Sequence, residues 1–465
     1  MQNSNQLAKR QAGFLLSSQL HLRRRFKCTQ KSETGGTMFS LAQEWRMRRA
    51  YELACGQLLK ASAQFARPGH LVGLETEVAL YCPGLCGLEL GAVRDAVMRA
   101  VGGTYELGLH QVEKSPSPVS LENGFAAVVA GHRATAEGIL RACRERGVGL
   151  VRCGTNPFLE GLQPPRTNTP KYQRVPDFQD LHRRKDLVCA VGGVEIDAAV
   201  VSLCQAFQVN VQAQSFGHGV NLLNYSFMVG PYLLALAANA RYLQCTDTGF
   251  ADVRMHAWQL THDTRTRRQL RKGYGPRVGL PERYFDSVQD YLRRIARFPF
   301  ILDNPDAALQ IAIGMAWLDA RIKFIEGSVV VELRNLPTQA EWEDEVAFTA
   351  AYLGMLAYCE YHQEFIPIDR VAENRVSAMQ NGLSGELWLD GTVVGAKQAA
   401  AVWLRRAEQG LHLRGLDDAV VWLERLHARL ASGCPSEQLA RMLEYNPSPT
   451  ERQLATAMQA LNMLR

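Results

Sequence analysis

The chain has 465 residues, 47% apolar and 21% charged, with a formal net charge of +6, which is the composition of a globular protein long enough for a large core. Seven of its 52 lysines and arginines but only one of its 46 acids, Glu33, fall within residues 1–37, so the remainder carries 45 of each. That balance excludes a global bias toward nucleic acid, and the best apolar run, Tyr225 to Ala238, is too short for a bilayer span and contains Pro231.

In chain order, residues 1–37 are arginine-rich and poor in acids, a composition shared by organelle transit peptides and by disordered extensions ahead of a later start at Met38. The expected location is the cytoplasm, with targeting by this leader as the alternative. The eleven cysteines include no Cys-x-x-Cys pair. Cys82 and Cys86 have a ligand-like spacing but flank Pro83-Gly84 and have no second pair, so free thiols are expected. Residues 38–68 are expected to hold an N-terminal helix (apolar pattern over 39–66), broken by Arg67-Pro68-Gly69.

The segment from Leu74 to Leu80 alternates as a strand, with Glu75 and Glu77 on one face and Leu74, Thr76, Val78 and Leu80 on the other. Two carboxylates so placed need solvent screening or a cation between them. A helix from Leu88 to Val101, a strand from Tyr105 to Lys114, a helix from Glu122 to Arg146 and a buried strand from Val148 to Cys153 are expected next. Phe207 to Gln214 alternates most sharply, with Gln208, Asn210, Gln212 and Gln214 on one face. A helix should carry Asn221 to Ala240, kinked or broken at Pro231. Val329 to Arg334 is a third patterned strand with Glu332 and Arg334 together. Residues 341–361 should be helical, and the region from 367 helical almost throughout, with a turn at Asp390-Gly391 and a Pro-marked break near 446–449.

Strands interleaved with long helices predict an α+β fold, a sheet with helices on its apolar side. If the three patterned strands pair, their polar face becomes a surface bearing carboxylates, the alternative being a solvated outer face. Mg²⁺ favours oxygen ligands, and Glu75, Glu77, Glu113 and Glu332 can supply them from different strands. Arg254 and Arg334 carry the planar fork that matches phosphate oxygens.

Five segments occur in the order seen in glutamate–cysteine ligases: Gly73-Leu74-Glu75-Thr76-Glu77, Gln111-Val112-Glu113, Gln208-Val209-Asn210-Val211, Arg254-Met255-His256-Ala257-Trp258 and Val331-Glu332-Leu333-Arg334. Over about residues 70–340 the chain resembles that family and its carboxylate–amine ligase relatives. The resemblance implies a glutamine-synthetase-like curved antiparallel sheet with ATP and Mg²⁺ or Mn²⁺ on its concave face. It implies an ATP-dependent ligase in which a carboxylate takes the γ-phosphoryl group and an amine then displaces phosphate from the acyl phosphate. Small-molecule amino acid and amine substrates are the implied partners; the oligomeric state is left open. Glu75, Glu77, Glu113 and Glu332 match the family's metal ligands, Arg254 the arginine on the transferred phosphate, and Arg334 its neighbour. Asn210 and Gln212 fall where one branch has a His-x-His pair, and with Arg254 they are the expected nucleotide contacts. The catalytic region is placed at 69–366 and a helical C-terminal region at 367–465. A family member that binds nucleotide or a partner without catalysis is the alternative, and a guanidino kinase a third.

Overall fold

Ser40 caps the first helix, α1 (Leu41–Lys60): its hydroxyl accepts the Gln43 N–H at 3.2 Å, and the Gln43 side chain accepts the Ser40 N–H at 2.9 Å. The computed structural model describes residues 40–85 and 87–465; the leader, the start at Met38 and Cys86 lie outside the described residues.

Alternation at Leu74–Leu80 becomes the long strand β1 (Leu71–Tyr81) of an eight-stranded antiparallel sheet. The other strands are β2 (Thr104–Tyr105), β3 (Gln111–Lys114), β4 (Val119–Ser120), β5 (Gly149–Val151), β6 (Ala206–Ala213), β7 (Ala320–Ile325) and β8 (Ser328–Pro337). The order is β7-β8-β6-β1-β3-β2, with β4 and β5 paired to the two ends of β1. The three patterned strands are therefore neighbours: Glu75 lies opposite Gln208, and Glu332 opposite Asn210. The expected α+β fold, a curved antiparallel sheet with helices, is the one observed.

The apolar sides of these strands, including Val72, Leu74, Val209, Val211, Val331 and Leu333, enter the main core. Against them packs α5 (Phe216–Ala237), which follows α2 (Gly87–Val101), α3 (Ala126–Arg144) and α4 (Pro170–His182). Capped by Ser215, α5 begins earlier than the expected Asn221 and continues through Pro231. Its 22 residues pass the length and composition test for a membrane span, yet 94% of the apolar window is buried within the fold. It is a core helix.

Two expectations fail locally. Residues 105–114 are not one strand, because a turn at Gly108–Gln111 separates β2 from β3. The C-terminal region is interrupted by a hairpin, β9 (Glu386–Leu389) and β10 (Thr392–Gly395). Asp390 and Gly391 both take positive φ, 48° and 93°, the geometry a two-residue hairpin turn demands.

After α6 (Arg254–His262), the helices α7 (Trp342–His362), α8 (Ile368–Asn381) and α9 (Ala396–Leu413) complete the main core. α7 and α9 meet at two glycines. A Cβ on Gly354 would lie 2.1 Å from the Ala407 carbonyl oxygen, and one on Gly410 would lie 1.8 Å from that of Gly354. No rotamer relieves a clash with backbone, so Gly354→Ala is expected to cost about 3 kcal/mol. A thermal melt checks this; an unchanged midpoint would show the helices can separate at no cost.

Candidate functional site

The polar face of the sheet borders a cavity of about 480 Å³. One wall is acidic: Glu75 and Glu77 from β1, Glu113 from β3, and Glu106 just beyond β2. Arg254, Arg321 and Arg334 also line it, and an apolar portion includes Tyr172, Met255, Trp258, Met315 and Trp317.

Glu77 and Glu113 are direct cross-strand partners, a placement that forces like charges together. One carboxylate oxygen from each of Glu77, Glu106 and Glu113 lies within 4.8 Å of the others. Glu77 accepts the Ala206 N–H at 2.7 Å and the Gln208 amide at 2.8 Å. Glu113 accepts the Thr104 hydroxyl at 3.0 Å, and Glu106 accepts the Leu107 N–H at 3.0 Å. Among the described residues no lysine or arginine is ion-paired to these three. Burial, then the Glu106 charge, pushes Glu77 above the usual carboxylate range; burial, then Glu106, Glu77 and Glu75, does the same to Glu113. The donor set is all carboxylate oxygen, the chemistry that suits Mg²⁺ or Mn²⁺.

The remaining expected residues sit differently. Glu332 is fully buried and does not line the cavity. It pairs with Arg334 at 2.6 Å, with Lys323 at 2.7 Å and with Arg321. Burial alone would raise its pKa, but Arg321, Arg334 and Lys323 together hold it well below the usual range. Glu75 accepts from Lys323 and from the Asn210 amide, both at 2.9 Å. Asn210 and Gln212, expected as nucleotide contacts, are not among the residues that line the cavity; Gln212 donates to the Ser328 hydroxyl at 3.0 Å. His256 stacks on Phe250 with ring centroids 4.5 Å apart and packs outside the cavity.

Arg254 opens α6 and lines the cavity, with its two Nη groups donating to the Gln205 and Asn335 carbonyls at 3.1 and 2.7 Å. It offers the cavity a fixed positive charge more than a free fork. Arg334 follows a register shift between Leu333 and Leu336, an irregularity of the kind that re-aims side chains at sites. Its Nη1 holds Glu332, while Nε and Nη2 donate to no protein group among the described residues.

Sequence reasoning missed Glu106, Arg321 and Lys323. On an unbroken strand, positions 106 and 113 differ by an odd number and face opposite ways. The turn at Gly108, whose N–H donates to the Gln111 side chain at 2.7 Å, resets that phase. Gly108 was the available signal.

A similar chain with a curated description is the glutamate–cysteine ligase EgtA of Mycolicibacterium smegmatis, 26% identical over 373 residues that cover 78% of this chain and 80% of that protein. Among solved structures, the fold is similar to that of the glutamate–cysteine ligase of Francisella tularensis, determined in complex with AMP, with TM-score 0.57 and 14% identity over 86% of this chain and 89% of that one. It is also similar to a bifunctional glutathione synthetase from Pasteurella multocida, with TM-score 0.53 and 11% identity over 89% of this chain but only 54% of that longer one. Residues 71–458 match the model of glutamate–cysteine ligase family 2, GCS2, and the chain belongs to that family.

Proposed function

We propose that the chain is an ATP-dependent carboxylate–amine ligase that joins glutamate to cysteine, or to a closely similar amine, through an acyl phosphate. One observation carries the reading: three convergent carboxylates, ion-paired to no lysine or arginine among the described residues, share a single cavity with Arg254 and Arg334. Like charges so arranged are costly unless protons or a divalent cation join them, and phosphoryl transfer asks for such neutralisation and alignment more than for covalent help from the protein.

Glu77, Glu106 and Glu113 are the residues that would hold Mg²⁺ or Mn²⁺. When bound, the cation neutralises triphosphate oxygens and withdraws charge as the γ-phosphoryl group leaves. Glu332 positions Arg334, leaving that guanidinium's outer N–H groups to meet the transferred phosphoryl, and Arg254 adds a fixed positive charge. A substrate carboxylate oxygen bonds to γ-phosphorus as ADP departs. The amine nitrogen then bonds to the acyl carbon, phosphate leaves, and the nitrogen gives up a proton. The cavity's apolar side shields this second step from water. Support for glutamate and cysteine comes from the family and from the name of the M. smegmatis relative.

Nucleotide binding without turnover is the second reading, favoured by the commitment of both Arg254 Nη groups to carbonyls. Following an oxygen from the substrate carboxylate into phosphate separates the two.

A further inference from the structure

The polar face has two carboxylate groupings with opposite electrostatics. Among the described residues, Glu77, Glu106 and Glu113 hold hydrogen bonds only from an amide side chain, a hydroxyl and backbone N–H groups. Glu75 and Glu332 instead share one ammonium. Lys323 Nζ lies 2.9 Å from Glu75 Oε1 and 2.7 Å from Glu332 Oε1, distances of direct charge-assisted hydrogen bonds. Arg321 spans both oxygens of Glu332, with Nη2 3.2 Å from Oε1 and Nε on Oε2, and Arg334 takes Oε2.

Strand order makes this contact informative. Lys323 is on β7 and Glu75 on β1, with β8 and β6 between them. Three strand spacings amount to roughly 14 Å in a flat sheet, so the side chains meet only because the face is concave and both lean over Asn210. Asn210 donates its amide to Glu75, and its carbonyl Oδ1 is buried without a hydrogen-bond partner. Glu75 Oε1 and Glu332 Oε1 converge on the single point that Lys323 Nζ occupies, and carboxylate oxygens are the donors a hard divalent cation takes.

Resting on the reading of this face as a divalent-cation site, we infer that Lys323 is the resident cation between Glu75 and Glu332, standing where a second divalent ion would otherwise bind. Divalent metal is then confined to the Glu77–Glu106–Glu113 side. The charge count agrees. Two carboxylates already face Lys323, Arg321 and Arg334, so a divalent ion added there meets net positive charge, whereas three carboxylates on the other side have no such partner. A tethered ammonium neutralises Glu75 and Glu332 at any metal concentration and aligns the strand that carries Arg334.

The test counts Mn²⁺ bound per chain by electron paramagnetic resonance titration, without nucleotide, after a thermal melt confirms that each variant is folded. Lys323→Met is expected to bind one more Mn²⁺ than the wild type. That additional site should vanish in Lys323→Met/Glu75→Gln, and Glu75→Gln alone should keep the wild-type number. An unchanged count in Lys323→Met, or a wild-type site lost in Glu75→Gln, would overturn the inference. Glu113→Gln reports separately on the ligase reading: a count equal to wild type there removes the proposed metal site itself.

Discussion

Glu345→Gln is expected to destabilise the fold by about 3–5 kcal/mol, the cost of breaking a buried ion pair from one side. Glu345 is fully buried on α7 and gathers groups from four other segments. Its carboxylate meets His132 Nε2 of α3 at 2.6 Å, Arg152 Nη2 beyond β5 at 3.0 Å, the Gln339 N–H at 3.1 Å and the Thr76 hydroxyl of β1 at 3.4 Å. Glutamine keeps the shape but leaves the Arg152 charge buried without its counter-ion. The sign of the pH dependence follows. Burial alone would raise the Glu345 pKa, but Arg152 and His132 hold it below the ordinary 4.5. Its stabilisation is therefore complete above the unfolded value and is lost as pH falls through the lower folded one. Thermal melts should show a midpoint lowered by about 5 °C near neutrality, with the gap to wild type narrowing only below about pH 4.5. A gap that is constant into strong acid would show that charge is not what Glu345 contributes.

Glu113→Gln is expected to act in the opposite sense on stability and far more strongly on turnover. Opposite Glu77 and near Glu106, Glu113 adds charge to a cluster that already repels itself. Removing that charge should leave the metal-free melting midpoint unchanged or raised, since sites that strain the fold are relieved by losing function. Turnover should fall about 10²–10³-fold, because a cation held by fewer carboxylates neutralises phosphoryl charge poorly and several kcal/mol of transition-state stabilisation go with it. The midpoint increase on adding Mn²⁺ should shrink in parallel. Steady-state rates with Mg-ATP and paired melts with and without metal measure both. A variant that melts lower but turns over normally would make Glu113 a structural residue.

The strands were legible because their period is two and their faces differ chemically. Glu75, Glu77, Gln208, Asn210 and Glu332 announced one polar surface, and the structure brings their strands side by side. What escaped was phase and company. Glu106 is invisible to a parity argument that runs through Gly108. Lys323 sits in a strand, Ala320 to Ile325, where Arg321 and Lys323 alternate with apolar residues and read as a solvent-facing side, and only the curvature of the sheet brings Lys323 to Glu75. At Glu386–Gly395 the turn at Asp390-Gly391 is legible as a strong hairpin signal, but the short strands that flank it are masked by helical periodicity on both sides. Glu332 shows the limit of reading a carboxylate by position alone. Its strand and face were foreseen, whereas its three cationic partners come from β7 and from its own strand.

The central claim, that this face drives amide formation through an acyl phosphate, is tested by one labelling measurement. The full chain is incubated with Mg-ATP, cysteine and glutamate whose γ-carboxylate carries ¹⁸O, and ADP, phosphate and amide are quantified by mass. The account predicts the three products in equal amounts, with one ¹⁸O in each phosphate released. Bound ATP with no turnover in Mg²⁺ or Mn²⁺, or phosphate formed without label, would contradict it.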